Sequence, residues 1–141
     1  SLQDCKPVAT YKDSGLAEAV FGTLPQPLEP KAFAQYVKER LHCGGVKYTV
    51  GKGPVKTVGV SCGAGSGLMF DAADCGVDAF VTGESKHHEH LAAREMGVTM
   101  VDAGHFNTED VVIGPLIAML QKRFPEVRFA KSSQTDPMCY V

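Results

Sequence analysis

The segment "VKTVGVSCGAGSGLMFDAADCGVDAFVTGESKHHEHLAAREMGVTMVDAGHFNTE", residues 55–109, has the pattern from which the fold class is predicted. Short β-rich apolar runs alternate in it with segments of helical length, a pattern typical of βαβ units. It predicts an α/β fold in which helices flank a mainly parallel sheet. Functional groups of such folds lie at the carboxyl ends of the strands. Three polar or glycine-rich segments fall on that rim: "SCGAGSG", "TGESKHH" and "DAGHFNTE".

The predicted elements extend this alternation along the chain. A helix over 31–41 places Phe33, Val37 and Leu41 four residues apart on one face. Prolines punctuate the rest of the first 45 residues. From the one helix in this part we predict a helical lead-in over 1–45, followed by an α/β core over 46–141. Strands are predicted at 46–50, 55–62, 78–82, 98–102 and 127–130, and further helices at 66–75, 85–96 and 108–124.

Composition excludes several classes of protein. The 141 residues, 44% of them hydrophobic, suffice for one globular domain with a buried core. The net charge of -2, with Lys and Arg dispersed, provides no basic patch for nucleic acid or an anionic membrane. No apolar run approaches the ~20 residues that span a bilayer. Five cysteines without a C-x-x-C pair argue against a disulfide framework. We therefore expect a soluble protein in the cytoplasm.

The segment "DAGHFNTE" carries the first candidate site, His105 with Glu109. An imidazole and a carboxylate can both reach one divalent cation at ~2.0 to 2.2 Å. Alternatively, Asn107 or Thr108 caps the next helix and Glu109 only complements the helix dipole. Pro115 predicts that this helix is kinked or begins near that residue. Two ligands do not complete a metal site, so both interpretations stay open.

The segment "TGESKHHEH" carries the second candidate, with four ionisable groups at one strand-to-helix junction. His87 and His90, three residues apart, can share a helix face, and Glu84 suits the amino end of a helix. The spacing H-E-x-x-H of a zinc protease helix is absent. A solvated helix start with outward-pointing histidines, including His88, is the alternative to a functional cluster.

The glycines at 63, 65 and 67 form the third candidate. A glycine-rich turn that opens a helix can cradle phosphate. The spacing fits neither the dinucleotide fingerprint nor the P-loop, since no Lys-Ser or Lys-Thr follows. A tight strand-to-helix turn with close backbone packing is therefore the favoured interpretation.

Residues 61–109, together with the ending "QTDPMCYV", resemble the Nif-three-like dinuclear-metal proteins, also described as type-two GTP cyclohydrolase-like. The resemblance covers most of the chain and implies one lobe of a Nif-three-like fold. It implies that His105 and Glu109 bind metal. The complete site would hold two divalent ions, which are zinc, manganese or iron. It also places Glu84 and His88 close to those ions, as catalytic groups that carry protons or orient a ligand.

The resemblance also identifies what this sequence lacks. The family's other ligands come from a paired-histidine motif and an aspartate in an amino-terminal region, and nothing here matches them. "AEAVFGTL" lacks the family's glycine-rich turn with an arginine, and Met138 stands where an aromatic residue is common. We therefore expect residues 1–141 to be the carboxyl-terminal lobe of a longer protein, without its amino-terminal lobe.

The function that the resemblance implies is metal-assisted hydrolysis, with half of the ligands in this chain. The alternative is a non-catalytic assembly module whose metal is structural or regulatory. Toroidal assemblies in the family imply a homo-oligomer, a hexamer in the full-length form. Nucleotide binding at the glycine turn ranks third. The hydrolase interpretation predicts that Glu84, His88, His105 and Glu109 converge on one concave surface at the rim of the sheet.

Overall fold

A computed structural model describes residues 1–10 and 14–141, and within them six strands form one sheet flanked by helices. No helix among these residues is long and apolar enough to cross a bilayer. The strands are β1 (Gln3–Thr10), β2 (Ala17–Leu28), β3 (Lys47–Tyr48), β4 (Val55–Val60), β5 (Ala79–Thr82) and β6 (Thr99–Asp102). The helices are α1 (Pro30–Arg40), α2 (Met69–Asp74), α3 (His87–Met96), α4 (His105–Asp110) and α5 (Ile113–Arg123), with a 3₁₀ turn at Ser66–Leu68.

The strand order is β1-β2-β4-β5-β6-β3. The α/β fold with a helix-flanked sheet is confirmed, but the expectation of a mainly parallel sheet holds only for its centre. The β4–β5 and β5–β6 pairs are parallel, whereas β1–β2, β2–β4 and β3–β6 are antiparallel. The crossover helices α2 and α3 enforce parallel pairing at the centre, while β1, β2 and β3 add antiparallel strands at the edges.

The central strands β5 and β6 are buried at every position because helices cover both faces of the sheet. Successive side chains of a strand point to opposite faces. Phe80 therefore packs with Met69 and Ala93 in one layer of the core, and its neighbour Val81 packs with Phe33 of α1 in the other. This double layer holds the carboxyl ends of β5 and β6 in place.

The helical lead-in predicted over 1–45 is wrong for most of that segment. The described part of this segment, residues 1–10 and 14–45, contains the helix α1 and the strands β1 and β2, which pair with each other and extend the sheet beyond β4. Pro25 and Pro27 lie in a register shift of the β2–β4 pair between Thr23 and Leu28. Proline cannot donate a ladder hydrogen bond, and an irregular stretch of strand tolerates it. Because of these prolines, the sequence pattern does not predict the long strand β2.

Two predictions near the C-terminus also need correction. Residues 127–130 form no strand; Val127 is 43% exposed, and no described strand lies beside it. A β-rich composition forms a strand only where a neighbouring strand can pair with it. The helix predicted over 108–124 is two helices, α4 and α5. Pro115 lies in the first turn of α5, where a missing N–H removes no helical hydrogen bond.

Candidate metal centre

The candidate site is centred on His105, whose ring lies between two carboxylates. Its Nδ1 is 3.1 Å from Oε2 of Glu84, and its Nε2 is 3.1 Å from Oε1 of Glu109. Glu84 follows β5 and His105 follows β6, and these parallel strands are neighbours in the sheet. The sheet therefore brings together two groups that lie 21 residues apart in the chain.

The short helix α4 presents His105 and Glu109 on one face, one turn apart. It begins after Gly104, whose φ of +86° lies in the left-handed region that favours glycine. Asn107 and Thr108, the expected capping residues, lie inside α4, and Glu109 lies beyond its first turn. The predicted cap at Asn107 or Thr108 is therefore wrong. Glu109 contacts the His105 ring one turn away.

Two glycines allow close packing around His105 and the Glu109 carboxylate. A Cβ on Gly63 would lie 2.5 Å from Oε1 of Glu109 and 3.1 Å from Nε2 of His105. A Cβ on Gly83 would lie 2.9 Å from Cα of His105 and 3.0 Å from the nitrogen of Gly63. Thr108 joins these segments, because its hydroxyl accepts a hydrogen bond from the Gly63 N–H at 3.1 Å. The glycine stretch is thus a tight turn with close packing, as favoured above.

The two carboxylates raise the pKa of His105. The hydrogen bond with Glu84 is the largest cause, slight desolvation acts the other way, and the charges of Glu109 and Glu84 add to the increase. When protonated, the ring donates to both carboxylates. When neutral with its proton on Nδ1, the ring still donates to Glu84 and presents the Nε2 lone pair to Glu109. The neutral ring and Glu109 then form two adjacent electron-pair donors that attract a cation.

These two donors fit a divalent metal ion by chemistry and by spacing. An imidazole nitrogen with a carboxylate oxygen suits zinc, manganese or iron. Two ligands about 2.1 Å from one ion lie about 3.0 Å apart at right angles and about 3.4 Å apart in tetrahedral geometry, and the observed separation is 3.1 Å. Glu84 faces the other ring nitrogen, as in the carboxylate–histidine pairs that orient metal-bound imidazoles. No group of three or more metal-ligating side chains suited to an ion occurs within residues 1–10 and 14–141.

The structure groups Glu84 with His105 and Glu109 but does not bring His88 to them. His87 and His88 lie in the first turn of α3 with exposed side chains, and neither lines the cavity at His105. His90, on the same helix, is half-buried and binds Ser85 instead. The predicted catalytic roles of Glu84 and His88 stay predictions.

A cavity of about 840 Å³ opens beside Glu84, His105 and Glu109. The C-terminal segment supplies one wall, which includes Met138 and Tyr140. The ring of Tyr140 lies so close to the Gly44–Gly45 backbone that a Cβ on Gly45 would be 2.8 Å from Cδ1 of that ring. The absence of side chains on this glycine pair leaves the space that the tyrosine ring occupies.

Sequence reasoning missed two residues that organise the site. Thr108 was considered only as a cap, yet it connects α4 to the glycine turn. Asp102 was assigned to a strand; it is 5% exposed and forms an ion pair with Lys47 on the neighbouring strand β3 at 2.9 Å. A carboxylate at the end of an apolar run was the one available signal for Asp102.

Similarity to known proteins covers almost the whole chain. The model of the family Duf34/NIF3 (NGG1p interacting factor 3) matches residues 1–137. A Staphylococcus epidermidis protein named GTP cyclohydrolase 1 type 2 homolog is 33% identical over 137 residues, which is 92% of this chain and 37% of that protein. A Deinococcus radiodurans protein of the same name is 32% identical over 124 residues, 88% of this chain and 46% of that protein. The chain thus spans less than half the length of these relatives.

Solved structures share the fold. A Bacillus cereus protein related to NIF3 has a TM-score of 0.81 and 30% identity, over 89% of this chain and 36% of that one. Staphylococcus aureus protein SA1388 has a TM-score of 0.78 and 29% identity, over 89% of this chain and 42% of that one. The resemblance inferred from the sequence is confirmed.

Proposed function

This chain belongs to the Duf34/NIF3 family, and from that premise we propose that His105 and Glu109 are ligands of a divalent-metal centre. The observation that carries the proposal is the 3.1 Å separation of His105 Nε2 and Glu109 Oε1, with Glu84 on the opposite ring nitrogen. Two donors do not complete a centre, so the remaining ligands come from protein outside the described residues. The complete centre holds two ions of zinc, manganese or iron.

The residues of this chain prepare the centre for hydrolysis. When Glu84 accepts a hydrogen bond from the Nδ1–H of His105, the Nε2 of the neutral ring keeps the lone pair that binds a cation. Gly63 leaves the space that the Glu109 carboxylate occupies. When bound, divalent cations supply Lewis-acid activation of water and substrate. The names of the relatives, homologs of a GTP cyclohydrolase, support a hydrolytic reaction. His88 lies outside the cavity, and the proposal gives it no role.

Zinc titration of the chain by isothermal titration calorimetry tests this assignment, and the ring ¹H–¹⁵N NMR signals of His105 in the wild type report whether the ion binds at that residue. We expect weak zinc binding, because two donors displace only part of the cation's hydration shell. The other ligands of a complete centre are not held in place to add to the affinity. His105→Ala should abolish the binding and Glu109→Gln should weaken it. His87→Ala is the matched control, since it removes an exposed histidine outside the cavity. An unchanged zinc isotherm for His105→Ala would refute the proposal.

A second candidate function, a non-catalytic assembly module, is favoured by the exposure of α5. None of the residues of this helix is buried, and Met119 is 62% exposed. A helix of eleven residues is marginal in water without packing partners, so its apolar side chains need a cover. We propose that copies of the protein supply it in a homo-oligomer, a hexamer in the full-length form, in which the metal is structural or regulatory.

Sedimentation velocity distinguishes this second candidate. If α5 lies in an interface between copies, Met119→Asp should shift the protein to smaller species. Leu91→Asp is the control, because Leu91 is 42% exposed on a different helix, α3. Identical sedimentation of the wild type and both variants would exclude α5 as the assembly surface.

A further inference from the structure

We infer that Asp102 is a positioning residue, which holds Glu84 and His105 at hydrogen-bond distance from one another across the ends of β5 and β6. The inference deepens the proposed metal centre and rests on it for its functional meaning. Its structural content, the placement of the His105 ring against Glu84, can be tested without any metal.

Asp102 is a buried carboxylate with three donors. Its Oδ2 accepts hydrogen bonds from the Ser85 hydroxyl at 2.7 Å and from the Lys47 ammonium at 2.9 Å. Its Oδ1 accepts from the N–H of Gly104 at 3.3 Å. Its side chain is almost fully withdrawn from water. The three donors therefore replace the hydration that the carboxylate loses on burial.

Two of these donors are direct chain neighbours of the site residues. Ser85 follows Glu84, and Gly104 precedes His105. One carboxylate therefore binds both loops, and displacement of either loop would change the 3.1 Å contact between Glu84 and His105. Gly104 also sets the direction in which the chain enters α4, since its φ is +86°. Asp102 thus acts on the site through its neighbours and without touching it.

The hydrogen-bond chain continues from Ser85 into α3. An ion-paired carboxylate can only accept, so the single proton of the Ser85 hydroxyl points to Asp102. The Nε2 of His90, 2.7 Å from the Ser85 oxygen, must then be the donor in that contact. This direction leaves His90 no lone pair facing the serine proton, so Ser85 is not an activated nucleophile. This series of hydrogen bonds connects α3 to the rim of the sheet and has a structural role.

The molecule contains a matched control in Asp78. This residue immediately precedes β5, at the end of the strand opposite to Glu84. Its Oδ2 accepts from the backbone N–H groups of Lys56 at 3.0 Å and Thr57 at 2.8 Å. Asp78 therefore also joins two segments of the sheet through its carboxylate, but far from His105 along the strand.

The experiment compares Asp102→Ala with Asp78→Ala by thermal unfolding, by the ring ¹H–¹⁵N signals of His105 in metal-free protein, and by zinc titration. We expect both variants to lower Tm. Only Asp102→Ala should move the His105 ring signals and weaken zinc binding, by about tenfold or more, the effect typical of residues that orient a metal ligand. Asp102→Asn keeps one acceptor oxygen and should recover part of the wild-type affinity.

Wild-type ring signals and zinc affinity in Asp102→Ala would overturn the inference, and so would equal changes in Asp78→Ala. Should Asp102→Ala fail to fold, Ser85→Ala removes the hydroxyl that connects Asp102 to the Glu84 loop and should shift the same ring signals. Unchanged signals there would count against the inference. If wild-type protein binds no zinc at His105, the proposed metal centre fails, while the metal-free ring signals still decide the role of Asp102.

Discussion

Replacing Gly63 by alanine tests how closely the chain packs against the proposed ligands. The new Cβ would lie 2.5 Å from Oε1 of Glu109 and 3.1 Å from Nε2 of His105. Optimal contacts lie at about 3.5–4.0 Å, so the Glu109 carboxylate, the end of a flexible and exposed side chain, has to move. The alanine must also adopt a φ of +57°, at a cost of about 1–2 kcal/mol.

The backbone cost should dominate the loss of stability, because a flexible carboxylate can turn away at little expense. At about 4 °C of Tm per kcal/mol for a domain of this size, Gly63→Ala should lower Tm by roughly 4–8 °C. With Glu109 displaced from Nε2 of His105, zinc affinity should fall by about tenfold or more.

Gly76→Ala separates the two effects. Gly76 has a φ of +78°, and a Cβ there would have no atom within 4 Å, so this variant has the backbone cost without the clash. Thermal unfolding by circular dichroism should give similar Tm losses for both variants, whereas zinc titration should distinguish them. Equal zinc affinities would refute the reasoning that Gly63 makes room for Glu109.

Three further predictions concern the domain as a whole. EDTA should leave the Tm nearly unchanged, since buried side chains and not ligand bonds form the core; a large drop would reveal a complete structural metal site. In metal-free protein, the hydrogen bond that His105 donates to Glu84 raises the pKa of His105 above its unfolded value. This pair therefore stabilises the fold fully below the unfolded pKa and loses that effect as pH rises through the folded pKa. Urea unfolding of wild type and Glu84→Gln between about pH 5 and about pH 9 measures this effect. The difference in unfolding free energy should shrink with rising pH, and a constant difference would contradict the prediction. Phe80→Ala, at a fully buried position, should cost about 3–5 kcal/mol in urea unfolding, and Phe70→Ala, at a position 44% exposed, far less; equal costs would place Phe80 outside the core.

The parts of the fold that could be predicted are those in which local pattern and burial agree. β5 and β6 are buried at every position because both their faces are covered, and the apolar residues at 79–81 and 100–101 mark them in the sequence. β2 could not be recognised, since its prolines contradict strand propensity and only its register shift against β4 accommodates them. Residues 127–130 have the composition of a strand but no described strand beside them. Pairing is a property of the sheet, and local composition does not reveal it.

The same division applies to the candidate site. The sequence by itself determined that His105, Glu109 and Glu84 follow buried strands, and neighbouring parallel strands place such residues at one rim for any sequence of this pattern. The tertiary structure was needed to place the His105 ring between the carboxylates of Glu84 and Glu109 and to show that His88 does not line the cavity beside them. The position of an element along the chain specifies which rim a residue reaches. The direction of its side chain depends on the helix start at 104–105, on the close approach of two backbones and on buried hydrogen bonds between distant segments, which form only when the whole sheet is assembled.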